Sequence, residues 1–119
     1  MVIIVAGSRT FKDYKLLSDI LDNIENITEI VSGCAKGADL LGEQYALEHH
    51  IPIKKFPAQW DIYGKQAGFI RNMEMGDYAD YLIAFWDGQS RGTNQMINYM
   101  RRIGKHGKVI EFENSNTLE

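Results

Sequence analysis

The sequence predicts an α/β fold with a five-stranded, parallel, doubly wound sheet and helices on both of its faces. Five short apolar runs rich in β-branched residues alternate with four segments of helical periodicity, and several runs end at glycine. Strands separated by helices imply right-handed crossovers and a parallel sheet, because antiparallel hairpins need much shorter connections. The 119 residues and the 45% hydrophobic content suit one domain with one core.

The first half of the chain shows this alternation clearly. Val2 to Ala6 is a continuous apolar run, which is typical of a central strand buried on both faces. Leucines and isoleucines at helical spacing between residues 16 and 24 predict a surface helix. A short second strand follows from Thr28 to Val31, and a second helix from Ala38 to His50 ends before a proline.

The second half continues the same rhythm. Ile53 to Phe56 predicts a third strand and Gly64 to Ala79 a third helix. Tyr81 to Trp86 predicts a fourth strand, Thr93 to Ile103 a fourth helix, and Val109 to Phe112 a last strand. Nothing repeats internally, so the pattern describes one layered domain and no array of repeats.

We expect one domain over residues 1–113, followed by a polar tail over residues 114–119 with no functional role. The net charge of -3 disfavours a nucleic-acid partner or an anionic membrane surface. Because no window approaches the roughly 20 apolar residues of a membrane span, we expect no membrane association. One cysteine, Cys34, and a strand-like start without a secretory signal indicate a cytoplasmic protein.

The histidines give no sign of a metal centre. His49, His50 and His106 do not have the spacing of metal ligands, and a single cysteine cannot complete a zinc site. We therefore expect no metal and no cofactor.

Three strand-to-helix loops concentrate the glycines: residues 7–9, 32–39 and 87–93. Glycines let the backbone approach a ligand closely, and each following helix offers free N–H groups to a phosphate. In doubly wound sheets, ligands bind beyond the carboxyl ends of the strands, where the strand order reverses. None of the loops matches the dinucleotide fingerprint or the P-loop. Each glycine alone could simply end a strand, but three such loops at one edge predict a phosphate-binding cleft.

Two arginines are candidates for the phosphate. Arg9 directly follows the first strand and suits a cation that reaches a phosphate from the sheet edge. Arg71, on the third helix, either pairs with an acid such as Glu74 or faces the cleft, and spacing does not decide between these. Three aromatic residues near predicted loops either stack on a base or pack in the core: Trp60, Tyr63 and Trp86.

Four segments carry a resemblance over nearly the whole chain: AGSRTF at 6–11, SGCAKGAD at 32–39, PAQWDIYGKQAGFIRNMEM at 57–75 and ADYLIAFWDGQSRGT at 79–93. In order and spacing they resemble the YspA-like branch of the SLOG superfamily, Rossmann-like domains that bind nucleotide-derived ligands. The resemblance also implies that Asp39 or Asp87 takes a ribose hydroxyl. It implies a ligand site formed by these two aspartates together with Gly7, Ser8, Arg9, Gly33, Gly37, Arg71, Asn72, Gly88, Ser90, Gly92 and Thr93.

One departure from the superfamily bears on chemistry. The cytokinin-activating "lonely guy" phosphoribohydrolases carry a glutamate three residues after a Gly-Thr pair, where this chain has Met96. A methionine cannot perform acid–base work, and it fits the apolar stripe of the fourth helix. We therefore assign no catalytic residue, and binding without hydrolysis is the leading hypothesis. The ligand would be an ADP-ribose-like or cyclic-nucleotide signal that the protein senses, carries or sequesters.

Two alternatives stay open. The chain could be a nucleotide N-glycosidic hydrolase in which Asp39, Asp87 or Glu74 supplies the missing carboxylate. It could also bind single-stranded DNA, as the DNA-uptake branch of the superfamily does, but the acidic balance and the lack of a basic, aromatic-rich groove argue against this. Apolar residues on the third and fourth helices lead us to expect a homodimer or higher homo-oligomer.

Overall fold

A computed structural model describes residues 1–113 of the protein. It contains a five-stranded sheet in the order β3-β2-β1-β4-β5, in which all neighbouring strands are parallel. This arrangement confirms the predicted Rossmann-like α/β fold. The strands are β1 Val2–Gly7, β2 Glu29–Ser32, β3 Ile53–Lys55, β4 Tyr81–Trp86 and β5 His106–Glu111.

Helices connect the consecutive strands of the sheet. They are α1 Tyr14–Asp22, α2 Ala38–Glu48, α3 Trp60–Tyr63, α4 Ala67–Tyr78 and α5 Arg91–Arg102. From β1 the chain builds outward through β2 and β3, then crosses back to add β4 and β5 on the other side. The strand order therefore reverses between β1 and β4, where such sheets bind ligands.

The core has two halves, one on each face of the sheet. Side chains alternate along a strand, so Ile3 and Val5 of β1 face α1 and α2, whereas Ile4 and Ala6 face α4 and α5. Burial on both faces explains why the central strands read as continuous apolar runs. The predicted helices on both faces are confirmed.

Two elements differ from the sequence prediction by more than two residues at an end. The expected third helix, Gly64 to Ala79, begins as a 3-10 turn over Gly64–Gln66 and continues as α4, and the short helix α3 before it was not predicted. Gly64 has a φ of +59°, a left-handed conformation that ends α3 and that glycine adopts readily. Strand β5 begins at His106, three residues before the predicted start at Val109. The prediction missed these three residues because they are exposed at the sheet edge and are not apolar.

No helix within residues 1–113 is long and apolar enough to cross a membrane. Within the same residues, no group of histidine, cysteine, aspartate and glutamate side chains could hold a metal ion. The predicted polar tail, residues 114–119, lies outside the described residues.

Candidate functional site

A cleft with two connected lobes opens at the carboxyl ends of β1, β2 and β4. The first lobe has a volume of about 250 Å³ and the second about 580 Å³. Arg9, Ala35 and Arg71 line both lobes and mark their junction. Most of the residues predicted for the site line this cleft: Gly7, Arg9, Gly33, Asp39, Arg71, Asn72, Ser90, Gly92 and Thr93. The others predicted from the sequence line neither lobe: Ser8, Gly37, Asp87 and Gly88.

Arg71 is fixed at the junction by hydrogen bonds. Its Nη1 donates to the carbonyl oxygen of Gly33 and, at 3.5 Å, to that of Phe56. Its Nε donates to Asn72 Oδ1 at 2.9 Å. Partial burial lowers the pKa of Arg71, and the negative charge of Asp39 opposes this shift. The question left open by the sequence is thus answered: Arg71 faces the cleft, and it forms no ion pair within residues 1–113.

Arg9 is the second cation at the junction. It is exposed, directly follows β1 and lines both lobes. Among the residues that the structure describes, its guanidinium has no hydrogen-bond or ion-pair partner. Burial is the main cause of the lowered pKa of Arg71, and the positive charge of Arg9 adds a small contribution in the same direction. An anion bound between the two arginines would relieve the repulsion between their charges.

Asp39, in the first turn of α2, brings a carboxylate to the first lobe. It is only 5% exposed, and its Oδ2 accepts a hydrogen bond from the Ala35 N–H at 3.2 Å. Burial raises the pKa of Asp39 from its ordinary 3.8 to about 6, although the Ala35 N–H and the charge of Arg71 favour the ionised form. The ionised form of Asp39 therefore lowers the stability of the folded state. Because Asp39 lines the first lobe, its carboxylate can also accept a hydrogen bond from a ligand hydroxyl.

Gly33 separates the two charged groups. A Cβ built on Gly33 would lie 2.8 Å from Arg71 Nη1 and 2.8 Å from Asp39 Oδ2. Any side chain at this position would displace one of them. The glycine thus allows a guanidinium and a carboxylate to approach the same stretch of backbone.

The loop between β4 and α5 presents a helix N-terminus to the first lobe. Asp87 Oδ1 accepts hydrogen bonds from the N–H groups of Gln89 and Ser90, at 2.9 and 2.8 Å. Ser90 is the N-cap of α5, and its Oγ accepts from the Thr93 N–H at 3.4 Å. The remaining first-turn N–H groups, including that of Gly92, have no partner within the helix and suit an anion.

Asn72 connects Arg71 to this helix. It is 6% exposed, and its Nδ2 donates to Gly92 O at 3.0 Å and to Gln95 Oε1 at 2.8 Å. Its Oδ1 accepts a hydrogen bond from Arg71 Nε, so the Asn72 amide links the Arg71 guanidinium to the start of α5. Gln95, a polar residue of α5 with no signal in the sequence, completes this link.

The inner wall of the first lobe is apolar. Ala6, Met75 and Met96 line it, and the two methionines are each 1% exposed. The core position predicted for Met96 is confirmed. Ala35 and Met75 were missed by the sequence analysis, because an apolar residue in a cavity wall has the same pattern as one in the core.

The aromatic candidates separate into different environments. Trp60 is 54% exposed and lines the second lobe together with Cys34, Lys36, Pro57 and Ala58. Trp86 is partly buried, and its Nε1 donates to Ser90 O at 3.0 Å, so it supports the start of α5. Tyr63 is exposed and lines neither lobe.

Residues 1–63 match the model of the YspA, cpYpsA-related SLOG family. The chain is 30% identical over 112 residues to the Gene 61 protein of Mycobacterium phage D29, and the alignment covers 86% of this chain and 90% of that protein. The X-ray structure of DNA processing protein A (DprA) from Streptococcus pneumoniae is similar with a TM-score of 0.78 at 19% identity. That likeness covers 98% of this chain and 52% of the other, so the chain spans about half of its length and shares its fold.

Proposed function

Because the chain belongs to the YspA, cpYpsA-related SLOG family, we propose that it binds a phosphate-bearing, nucleotide-derived ligand in the two-lobed cleft. One observation carries this proposal: Arg9 and Arg71 meet at the junction of the lobes, and the guanidinium of Arg9 has no partner among the described residues. Two interacting cations beside a helix N-terminus favour a multivalent anion such as a phosphate.

The remaining groups of the first lobe suit a ribose. Asp39 can accept a hydrogen bond from a sugar hydroxyl, while the apolar wall that includes Met75 and Met96 can contact the carbon atoms of the ring. Ligand cavities of this kind combine apolar walls with a few placed polar groups. An ADP-ribose-like or cyclic-nucleotide signal satisfies both requirements, and we infer that the protein senses, carries or sequesters it.

Hydrolysis is the second candidate function, and the raised pKa of Asp39 favours it. Of the three carboxylates considered from the sequence, Asp39 lines the cleft, whereas Glu74 is exposed elsewhere on α4 and Asp87 bonds to its own loop. A buried acid with a pKa of about 6 can exchange protons near neutral pH. We favour binding, because Met96 stands where the related hydrolases have their glutamate.

Incubation with AMP followed by chromatography separates these two candidates. We expect no release of adenine above the uncatalysed background. Adenine release that disappears in Asp39→Asn would replace the binding function by an N-glycosidic hydrolysis with Asp39 as its acid or base.

DNA binding is a further alternative, because the solved structure with the same fold is described as a DNA processing protein. We infer a small molecule, since the net charge of -3 gives little electrostatic attraction for a polynucleotide. An oligonucleotide that binds more tightly than ADP-ribose and protects the same cleft would reverse this inference.

The direct test of the proposed function is calorimetric titration with ADP-ribose, AMP and adenosine. Arg9→Ala should weaken binding of the two phosphorylated ligands by about 10- to 150-fold, as expected for one charge-assisted hydrogen bond. It should leave the weaker binding of adenosine unchanged. Arg101→Ala is the matched control, because Arg101 is also exposed but lies in the last turn of α5, outside both lobes. The proposal fails if the two variants behave alike, or if no phosphorylated ligand binds.

A further inference from the structure

The second lobe is larger than the first. A phosphate at the junction and one ribose in the first lobe would leave it empty. Beyond the shared junction, its walls come from the loop after β2 and from the segment between β3 and α4. Pro57 and Ala58 form an apolar side, and Trp60 an aromatic one. A ligand that extends past the junction would therefore meet a surface suited to a flat apolar group.

Trp60 is the main feature of this surface. Its indole is 54% exposed although it is one of the largest apolar groups of the chain. A Cβ built on Gly68 would lie 3.5 Å from Trp60 Cη2 and 3.8 Å from Arg71 Nη2, so the indole and the guanidinium flank the same glycine of α4. A ring that stacks on Trp60 is therefore within reach of a phosphate held by Arg71.

The charges of the two lobes differ. Among the described residues that line the second lobe, Arg9, Lys36 and Arg71 are cationic and none is a carboxylate. In the first lobe, by contrast, Asp39 faces the same arginines. The second lobe thus favours an aromatic group attached to negative charge, and the first lobe favours a group with free hydroxyls.

We propose that the second lobe is a nucleobase subsite in which the base stacks on Trp60, with the ligand's phosphates at the Arg9–Arg71 junction and a terminal ribose beside Asp39. The ligand class is a nucleoside diphosphate that carries a second sugar. This inference rests on the proposed function and adds an orientation to it. Any base can stack on an aromatic side chain, so the subsite recognises a planar ring system and does not distinguish one base from another.

The experiment compares ADP-ribose with ribose 5-phosphate, which has the sugar and a phosphate but no base. Trp60→Ala should weaken ADP-ribose by about 5- to 150-fold, the range for loss of one base–aromatic stack. Binding of ribose 5-phosphate should not change. Trp60→Phe should recover part of the affinity for ADP-ribose. Tyr63→Ala is the matched control, since Tyr63 is an exposed aromatic residue of the same short helix that lines neither lobe.

Tryptophan fluorescence gives a second readout. ADP-ribose should quench the emission of the wild-type protein, ribose 5-phosphate should not, and the quenching should disappear in Trp60→Phe, which retains Trp86. Equal weakening of both ligands by Trp60→Ala, or weakening of neither, overturns the base subsite. The base subsite is also overturned if Trp60→Ala changes only the oligomeric state in analytical ultracentrifugation, because Trp60 would then belong to an interface between subunits.

The two proposals fail in different ways. If ADP-ribose and ribose 5-phosphate both lose affinity in Arg9→Ala but neither responds to Trp60→Ala, the phosphate site stands and the base subsite is wrong. If neither ligand binds the wild-type protein, both proposals are wrong.

Discussion

Two loops at the same edge of the sheet bring an aspartate close to the cleft in opposite ways. In the β2–α2 loop and the helix start that follows it, Asp39 is buried and its pKa is raised to about 6. In the β4–α5 loop, burial raises the pKa of Asp87, but hydrogen bonds from the Gln89 and Ser90 N–H groups and from the Ser8 hydroxyl outweigh it and lower the pKa overall. The Asp39 carboxylate lines the first lobe, and the Asp87 carboxylate accepts hydrogen bonds from its own loop.

The loops also differ in what holds them in place. The β2–α2 loop depends on distant segments: Gly37 packs against the carbonyl groups of Ser8 and Arg9, and α2 has no side-chain cap. The β4–α5 loop is capped by its own side chains, Asp87 and Ser90, and Ser8 Oγ also accepts a hydrogen bond from the Asp87 N–H. The first loop therefore depends more on close packing against distant backbone, whereas the second has side-chain caps of its own.

The largest expected effect is the contrast between Gly37→Ala and Gly92→Ala. Gly37 has a φ of +79°, and a Cβ there would meet the carbonyl oxygen of Ser8 and lie 2.7 Å from that of Arg9. We expect Gly37→Ala to lower the free energy of unfolding by about 4 kcal/mol, since backbone strain and overlap add. Gly92 has no atom within 4 Å of its Cβ position, so Gly92→Ala should be neutral or stabilising by up to about 1 kcal/mol.

Urea denaturation of both variants checks this pair. Gly92→Ala also adds a methyl group to a residue that lines the first lobe, so we expect it to weaken ADP-ribose binding in calorimetry while the fold stays intact. Equal stabilities of the two variants would contradict the view that distant segments hold the β2–α2 loop.

The second expected effect is the pH dependence of Asp39→Asn. The pKa of Asp39 is raised in the folded state, so its contribution to stability is present below about pH 4 and is lost as the pH rises through about 6. The rise from 3.8 to about 6 corresponds to roughly 3 kcal/mol. Asp39→Asn stays neutral, so we expect it to exceed the wild type in stability by about that amount at pH 7 and to match it near pH 4.

Asp87→Asn is the comparison for this prediction. The lowered pKa of Asp87 means that its contribution to stability is present above its ordinary pKa and is lost as the pH falls. Asp87→Asn should therefore destabilise the protein at pH 7, and its difference from the wild type should shrink in acid. Urea denaturation between pH 4 and 7 measures both. A difference between Asp39→Asn and the wild type that does not change with pH would rule out a buried carboxylate as the cause.

The same contrast explains how much could be predicted from the sequence. Strand β4, Tyr81–Trp86, was predicted with the observed bounds, because a run buried on both faces has a continuous local pattern. The short helix α3 before Gly64 was missed, since four residues are too few to show a helical period. The position of the cleft followed from the strand ends and the rule for doubly wound sheets.

The contacts inside the cleft were beyond the sequence. Whether Arg71 paired with Glu74 or faced the cleft depended on how α4 packs on the sheet, which brings Arg71 to the carbonyl of Gly33. The pKa of Asp39 likewise depends on burial by segments far away in the chain. Even the local Ser90 cap was not predicted, because the sequence analysis began the fourth helix at Thr93, and environments made by several elements leave no local pattern.

The smallest expected effect concerns Ser90, the N-cap of α5. Helix α2 has no equivalent side-chain cap. Ser90→Ala removes the acceptor for the Thr93 N–H, which costs about 1 kcal/mol for a typical N-cap. Ser90→Asp keeps a capping oxygen, so its free energy of unfolding should stay close to that of the wild type. It also places a negative charge at the wall of the first lobe, where we propose that phosphate binds.

The two substitutions should therefore separate stability from affinity. In urea denaturation, Ser90→Ala should be the less stable variant, because the cap is lost. In calorimetry with ADP-ribose, Ser90→Asp should be the weaker binder, because its carboxylate repels the phosphates that the start of α5 would attract. Ser90→Asn supplies the neutral control, with a capping oxygen and no charge. If Ser90→Asp and Ser90→Asn bind ADP-ribose equally well, the start of α5 does not contact the phosphates, and the anion is held by the two arginines alone.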